Sequence, residues 1–381
     1  MRLINRSRHP ALFDLASSSW IDADRIPCIL KERISARDFA SYLASAHSQA
    51  ELLPIAGFVP IPARTIWDAR SDKIRYVSTI GLSAPHRRAR TPELLKCVRR
   101  YLGLGRDDRI AVELSGGLDT TVVVSFLRAL GHDPVLVGLE SDRYEFRTER
   151  EIQRIYAEGG ARVSLISQRS VTAFGGLTKV PRHNFPDPAS LYYLRHVQIA
   201  TRAIELGAST VLTGDTGDNL LALDVSTSGM ELIRSYDRWG LSNAWVDEFV
   251  YRTLGAHCVS AFSLQEIARL LLGMRKTCSS DPMKLWARAA WSELLPPKLS
   301  RFAYKASHDN WIVESLRLAA EEIAYVAASA HSVLAIDDLD PGNLVDLSTQ
   351  YACLESRMQH RFLETLAFAT WLHGHVRDGL F

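Results

Sequence analysis

The run RIAVELSGGLDTTVVVSFLRALG, residues 109–131, leaves a chain few ways to fold. RIAVELS is a short β-rich segment, LDTTVVVSFLRALG reads as a helix, and the glycine turn SGG joins them directly. PVLVGLES follows as a second strand, then a charged helix at 147–159 and a third strand, RVSLIS, at 162–167. A helix near 190–207 and the strand STVLTG continue the rhythm. Strands alternating with helices predict a doubly wound parallel sheet of about five strands across 109–215, with its ligand end at the carboxyl ends of the strands. Beyond about residue 225 the β signal fades. Segments near 241–254, 262–275, 283–294, 310–328 and 356–373 carry helical periodicity. Residues 1–90 read as a smaller α+β piece. It has helical spacing at 36–52, a hairpin-like stretch IWDARSDKIRYV, and a basic, proline-bounded linker SAPHRRARTP. Thr91 is expected to cap the next helix with Pro92 at its first position. The expected organisation is an α/β core with a helical C-terminal half over residues 91–381, preceded by a short N-terminal region, 1–90.

Composition narrows the function classes. Apolar residues make up 47% of the 381, enough for a large core without covalent staples. The net charge of +2 lacks the basic footprint of a duplex binder, so no nucleic acid partner is expected. Five scattered cysteines with no CxxC spacing argue against a disulfide framework or a structural zinc site. No apolar run reaches the ~20 residues of a membrane span. The N-terminus MRLINRSRHP has no apolar signal core. A soluble, cytoplasmic protein with no membrane association is the expectation.

The chemistry concentrates at SGGLDT. Gly116 and Gly117 let backbone N–H groups approach an anion with no Cβ in the way. The helix behind them contributes unpaired N–H groups and its positive end. Ser115, Asp119 and Thr120 add polar side chains at the same corner. This is a phosphate or pyrophosphate cradle. It lacks the GxxxxGK[ST] of a Walker loop and the GxGxxG of a dinucleotide fingerprint.

SGGLDT closely resembles the SGGxDS/T motif of the PP-loop ATP pyrophosphatases, which use ATP to adenylate a substrate and release pyrophosphate. Further matches are similar to the synthetase domain of asparagine synthetase and its relatives, among them β-lactam synthetase, carbapenam synthetase and lasso-peptide cyclases. Residues 212–218, LTGDTGD, resemble that branch's LTGxGxDE loop, and NFPDPASL at 184–191 looks like the segment preceding it. LPPKLSRFAYK at 295–305 resembles its late motif, and ATWLHG at 369–374 its closing helix. The resemblance spans roughly residues 55–381. It implies ATP and Mg²⁺ as cofactors and assigns roles by position. Leu114, Val137, Thr213 and Gly214 match contacts to the adenosine part. Ser115, Gly116, Gly117, Asp119 and Thr120 match the pyrophosphate loop. Asp119 and Asp218 match the two Mg²⁺ carboxylates, a hard-oxygen set that suits this ion. Lys305 matches a lysine that stabilises charge developing on the acyl-adenylate. Asp215 falls near the acyl acceptor, as a general base or as a solvated loop carboxylate. Arg301 and Lys284 read mainly as structural.

Departures from the pattern refine the activity. Glutamine-dependent relatives carry an N-terminal glutaminase with a cysteine at position 2; here that residue is Arg2, and about 90 residues are too few for that domain. Residues 57–81 look like its last hairpin. Cys28 and Cys97 read as packing residues. Asn219 stands where the loop usually has Glu, Leu136 replaces a common serine, and LALD at 221–224 replaces a glycine-rich end. These changes favour a specialised amide-forming ligase over asparagine synthesis itself. Its partners would be small-molecule or peptide carboxylate and amine substrates, with a precursor peptide, a partner protein or a second copy of the chain left open. A macrolactam cyclase, a decayed synthetase-like partner subunit and a tRNA-modifying enzyme are the alternatives.

Overall fold

The structure is a computed structural model. It describes residues 2–5, 11–14, 19–20, 58–61, 65–68, 73–76, 90–102, 109–183, 186–222, 243, 245–274, 283–301 and 309–379. The chain divides into two compact units. One comprises residues 1–77, 172–195 and 308–381; the other comprises 78–171 and 196–307. The expected helix at 36–52, most of the linker at 83–92, Cys28 and Lys305 lie outside the described residues.

The first unit opens with six short strands: β1 (Arg2–Asn5), β2 (Ala11–Asp14), β3 (Ser19–Trp20), β4 (Phe58–Ile61), β5 (Thr65–Asp68) and β6 (Lys73–Tyr76). They form two three-stranded sheets, ordered β1-β5-β6 and β3-β2-β4. The hairpin expected from IWDARSDKIRYV is β5 against β6, antiparallel, with Thr65 opposite Tyr76 and Asp68 opposite Lys73.

The second unit starts with helix α1 (Thr91–Leu102). Thr91 is already helical and does not cap it. The Glu93 carboxylate instead reaches back to accept the Arg90 N–H at 2.9 Å, since acidic side chains suit a helix N-terminus. Five parallel strands follow: β7 (Ile110–Glu113), β8 (Val135–Glu140), β9 (Val163–Ser167), β10 (Thr210–Thr213) and β11 (His257–Ser260). Their order is β11-β10-β7-β8-β9. The expected five-stranded parallel sheet is therefore present, but its fifth strand comes from HCVS, well past residue 215. Helices α2 (Leu118–Ala129) and α3 (Arg147–Glu158) connect the strands on one side of β7; α4 (Tyr193–Glu205) leads back to β10 on the other. Winding reverses between β7 and β10. Right-handed crossovers then send connections to opposite faces and open a crevice where the two strands part.

The sequence TTVVV inside α2 is β-branched and a poor helix former by propensity. Burial overrides that: Val122, Val124 and Leu127 are fully buried, with Val123 and Phe126 nearly so. They pack with Val112, Leu136, Leu212 and Trp291 into one core. Beyond β10 come α5 (Gly217–Leu221), α6 (Gln265–Met274), α7 (Leu285–Ala290) and α8 (Pro297–Arg301). Cys97 packs against this core, as expected of it, and burial raises its thiol pKa.

The remainder of the first unit is helical: α9 (Asp309–Leu318), α10 (Ala320–His331), α11 (Pro341–Gln350) and α12 (Ser356–Arg377). Its core joins Phe174, Leu177 and Leu191 to Val326, Phe362, Phe368 and Trp371. Among the described residues no helix is long and apolar enough to cross a membrane.

Candidate active site

The candidate site lies in the second unit, at the carboxyl ends of β7 and β10, where the winding reverses. The chain leaves β7 at Leu114, turns through Ser115–Gly117 and enters α2. Gly116 has φ +86, and a Cβ there would stand 2.5 Å from the Glu149 carbonyl oxygen. Both the backbone angle and the space exclude a side chain. Ser115 Oγ accepts the Gly117 N–H at 3.1 Å and lies 3.0 Å from Thr120 Oγ1. Thr121 Oγ1 donates to the Gly117 carbonyl at 2.7 Å. These bonds hold the turn rigid, while the first-turn N–H groups of α2 have no acceptor within the helix.

The TGDTGD loop leaves β10 against this turn. A Cβ at Gly214 would lie 2.7 Å from Thr120 N, and one at Gly217 would lie 2.4 Å from Asp119 Cγ. The two motifs are therefore in contact. Ser260, which ends β11 beside Thr213, donates from Oγ to the Asp215 carbonyl, as does the Thr216 hydroxyl. The buried Thr213 Oγ1 has no hydrogen-bond partner among the described residues, an uncommon state for an interior hydroxyl.

The site residues named from sequence separate by environment. Ser115 and Asp215 are exposed, Asp119 is partly buried, and Asp218 is about half exposed. Leu114 and Val137 are fully buried core residues, joined by a Leu114 N–H to Val137 carbonyl bond of 2.7 Å. The PKLSR part of the late motif forms α8. Lys298 pairs there with Glu151, and buried Arg288 donates to the Leu299 carbonyl. Asp187 caps the turn at Pro188–Tyr192 in the first unit, accepting the Ala189 N–H at 2.8 Å. ATWLHG lies in α12 of that unit.

Sequence reasoning gave Lys284 a structural role, and the structure gives it a central position. Its Nζ donates to both oxygens of Asp119 at 2.6 Å and pairs with Asp218 Oδ1 at 2.6 Å. Arg288 steadies the preceding residue by donating to the Met283 carbonyl at 2.9 Å. Trp286 Nε1 donates to the Leu221 carbonyl at 2.8 Å, and Trp291 meets the Phe126 ring edge-on at 5.1 Å. Lys284 has φ 53 and Thr216 has φ 66, the two non-glycine residues at positive φ among the described residues. Both lie at this corner. Such strain persists only where surroundings over-determine it, and it clusters at functional sites.

Two carboxylates from separate segments thus converge on one cation position. Among the described residues no group of three or more His, Cys, Asp or Glu side chains could hold a metal. A two-carboxylate arrangement completed by phosphate oxygens and water nevertheless fits Mg²⁺. No protein-family model matches the chain, and no curated protein matches it in sequence.

Proposed function

We propose that the chain is an ATP-dependent, AMP-forming carbon–nitrogen ligase of the PP-loop type. It would adenylate a carboxylate, release pyrophosphate and pass the acyl group to an amine. The observation that carries this reading is the convergence of Asp119 and Asp218 on one cation position, 2.6 Å from Lys284 Nζ, beside a glycine turn at a strand-order reversal.

Each residue then has a physical task. Gly116 and Gly117 leave room for phosphate oxygens against backbone N–H groups, and the start of α2 favours their negative charge. Ser115 and Thr120 offer hydroxyl contacts. Asp119 and Asp218 would hold Mg²⁺. That ion, when bound, neutralises charge on the phosphates. Thr213 and Gly214 border the adenosine side, where the Thr213 hydroxyl lacks a partner among the described residues. Lys305 would meet charge that grows only during acyl transfer. Asp215, exposed at the rim, is the base for the incoming amine. The cytoplasm is the proposed location.

The test is the nucleotide product. The purified chain, screened with carboxylates, amines and Mg²⁺, should convert ATP to AMP and pyrophosphate, and Asp119→Ala should abolish this. ADP as product would overturn the reading. Absence of any ATP turnover or binding would point to the decayed-subunit alternative.

A further inference from the structure

The Lys284 ammonium contacts three carboxylate oxygens at 2.6 Å. It does so from a buried position, with 8% of its side chain exposed, and from a left-handed backbone conformation. Arg288, Trp286 and Trp291 anchor the surrounding segment through their own contacts. A surface ion pair has none of this support. Asp119 and Asp218 are also the two carboxylates that the ligase reading gives to Mg²⁺. An ammonium and a divalent cation held on this one carboxylate pair oppose each other, because the two positive charges would repel strongly at such separations in a partly desolvated corner.

We propose that Lys284 is an internal counterion that competes with the divalent cation for the Asp119–Asp218 pair. The carboxylates accept a metal ion only once the ammonium is drawn off them. In naming the metal and the nucleotide phosphates that draw the ammonium away, the proposal rests on the ligase reading. The competition itself follows from the shared carboxylates. Without nucleotide, the lysine offsets one of the pair's two negative charges and keeps stray divalent ions out. With nucleotide, the phosphates offer the ammonium another anionic partner, and the pair is released. Metal and nucleotide binding are then coupled, each strengthening the other by the same factor.

The experiment uses the full chain without nucleotide. Mn²⁺ is titrated and its free fraction followed by electron paramagnetic resonance. If the lysine-held state outweighs the open state by about ten to one, the apparent metal affinity falls by that factor. Lys284→Met should therefore bind Mn²⁺ at least about tenfold more tightly than wild type. Adding Asp119→Asn to Lys284→Met should return binding to the weak level. Removing the ammonium leaves two facing carboxylates and lowers stability. Lys284→Gln, which keeps a hydrogen-bond donor, is the second variant, and Mn²⁺ should raise the unfolding midpoint of either variant more than that of wild type. Equal Mn²⁺ affinity in wild type and both variants would overturn the proposal, as would tight Mn²⁺ binding by wild type without nucleotide. Failure of AMP formation with the Mn²⁺ difference intact would remove the ligase reading and leave the competition standing. AMP formation without a Mn²⁺ difference would do the reverse.

Discussion

Gly116 meets two demands that no side chain can satisfy. Its φ of +86 is strained for an L-residue, and a Cβ would press on the Glu149 backbone at 2.5 Å. Gly116→Ala should therefore lose more than about 2 kcal/mol of stability, read by chemical denaturation; near-neutral behaviour would mean the turn relaxes easily. Such a residue is readable in sequence because its constraint is local: two glycines and an aspartate between a strand and a helix specify a shape on their own. Lys284 was not readable as a site residue, since its partner Asp119 is 165 positions away. No spacing rule reaches that far, and its left-handed backbone has no signature in a lysine. Lys305 lies outside the described residues, and its expected role comes from the late-motif resemblance alone. Lys305→Ala should bind ATP within a few-fold of wild type and turn over roughly a hundred- to thousand-fold more slowly, as expected for charge stabilisation confined to the transition state. Near-normal turnover would move the search for the catalytic cation to Lys284.

Among the elements, β11 shows where periodicity runs out. HCVS is four residues long, lies at the sheet edge and sits between helical turns. Strands β7 and β10 are equally short but lie within the β-rich runs RIAVELS and STVLTG, whereas HCVS has a single β-branched residue, Val259, so this strand was missed. With it went Ser260, whose hydroxyl steadies the Asp215 loop. The longer strands and α3 were readable because each repeats its pattern over several turns or pleats. Helix α12 carries a different lesson. Its Trp371 Nε1 and His375 Nε2 both approach the His183 carbonyl, at 2.7 and 3.0 Å, and His183 Nδ1 contacts the Pro181 carbonyl at 2.9 Å. A carbonyl only accepts, so each of these ring nitrogens carries the proton. Burial pushes the His183 pKa down to about 4, against the Pro181 bond, which raises it. Burial likewise pushes His375 down to about 4, aided by Arg182 and opposed by the His183 carbonyl and Asp378. Both imidazoles are thus neutral when folded, whereas an unfolded histidine takes up its proton near pH 6.5. Stability from this contact is full above about pH 6.5 and declines as pH falls from there toward 4. His375→Gln retains a donor for the carbonyl and removes one titration. It should flatten the loss of denaturation free energy across that window. An unchanged slope would assign the acid sensitivity elsewhere.

At the scale of the molecule, each unit has its own core, and the candidate site belongs to one of them. Mg²⁺ with ATP should therefore slow hydrogen exchange at residues 114–121 and 213–218, with little effect on the Trp371–His183 contact. Equal protection of both regions, measured by mass spectrometry, would contradict a site confined to the second unit. The α/β rhythm was readable because it is carried by consecutive segments, whereas the assembly of the first unit from three separated stretches was not. That assembly bears on how the protein is made. The His183 carbonyl is paired with a tryptophan 188 positions later in the chain. A ribosome adding about 5–20 residues each second needs roughly ten to forty seconds to deliver that partner. Phe174 and Leu177, fully buried in the finished molecule, must spend that interval without the helix that covers them. Emerging chains therefore hold an apolar segment in waiting. Slower translation after residue 183 should lengthen its exposure to chaperones and to other nascent chains.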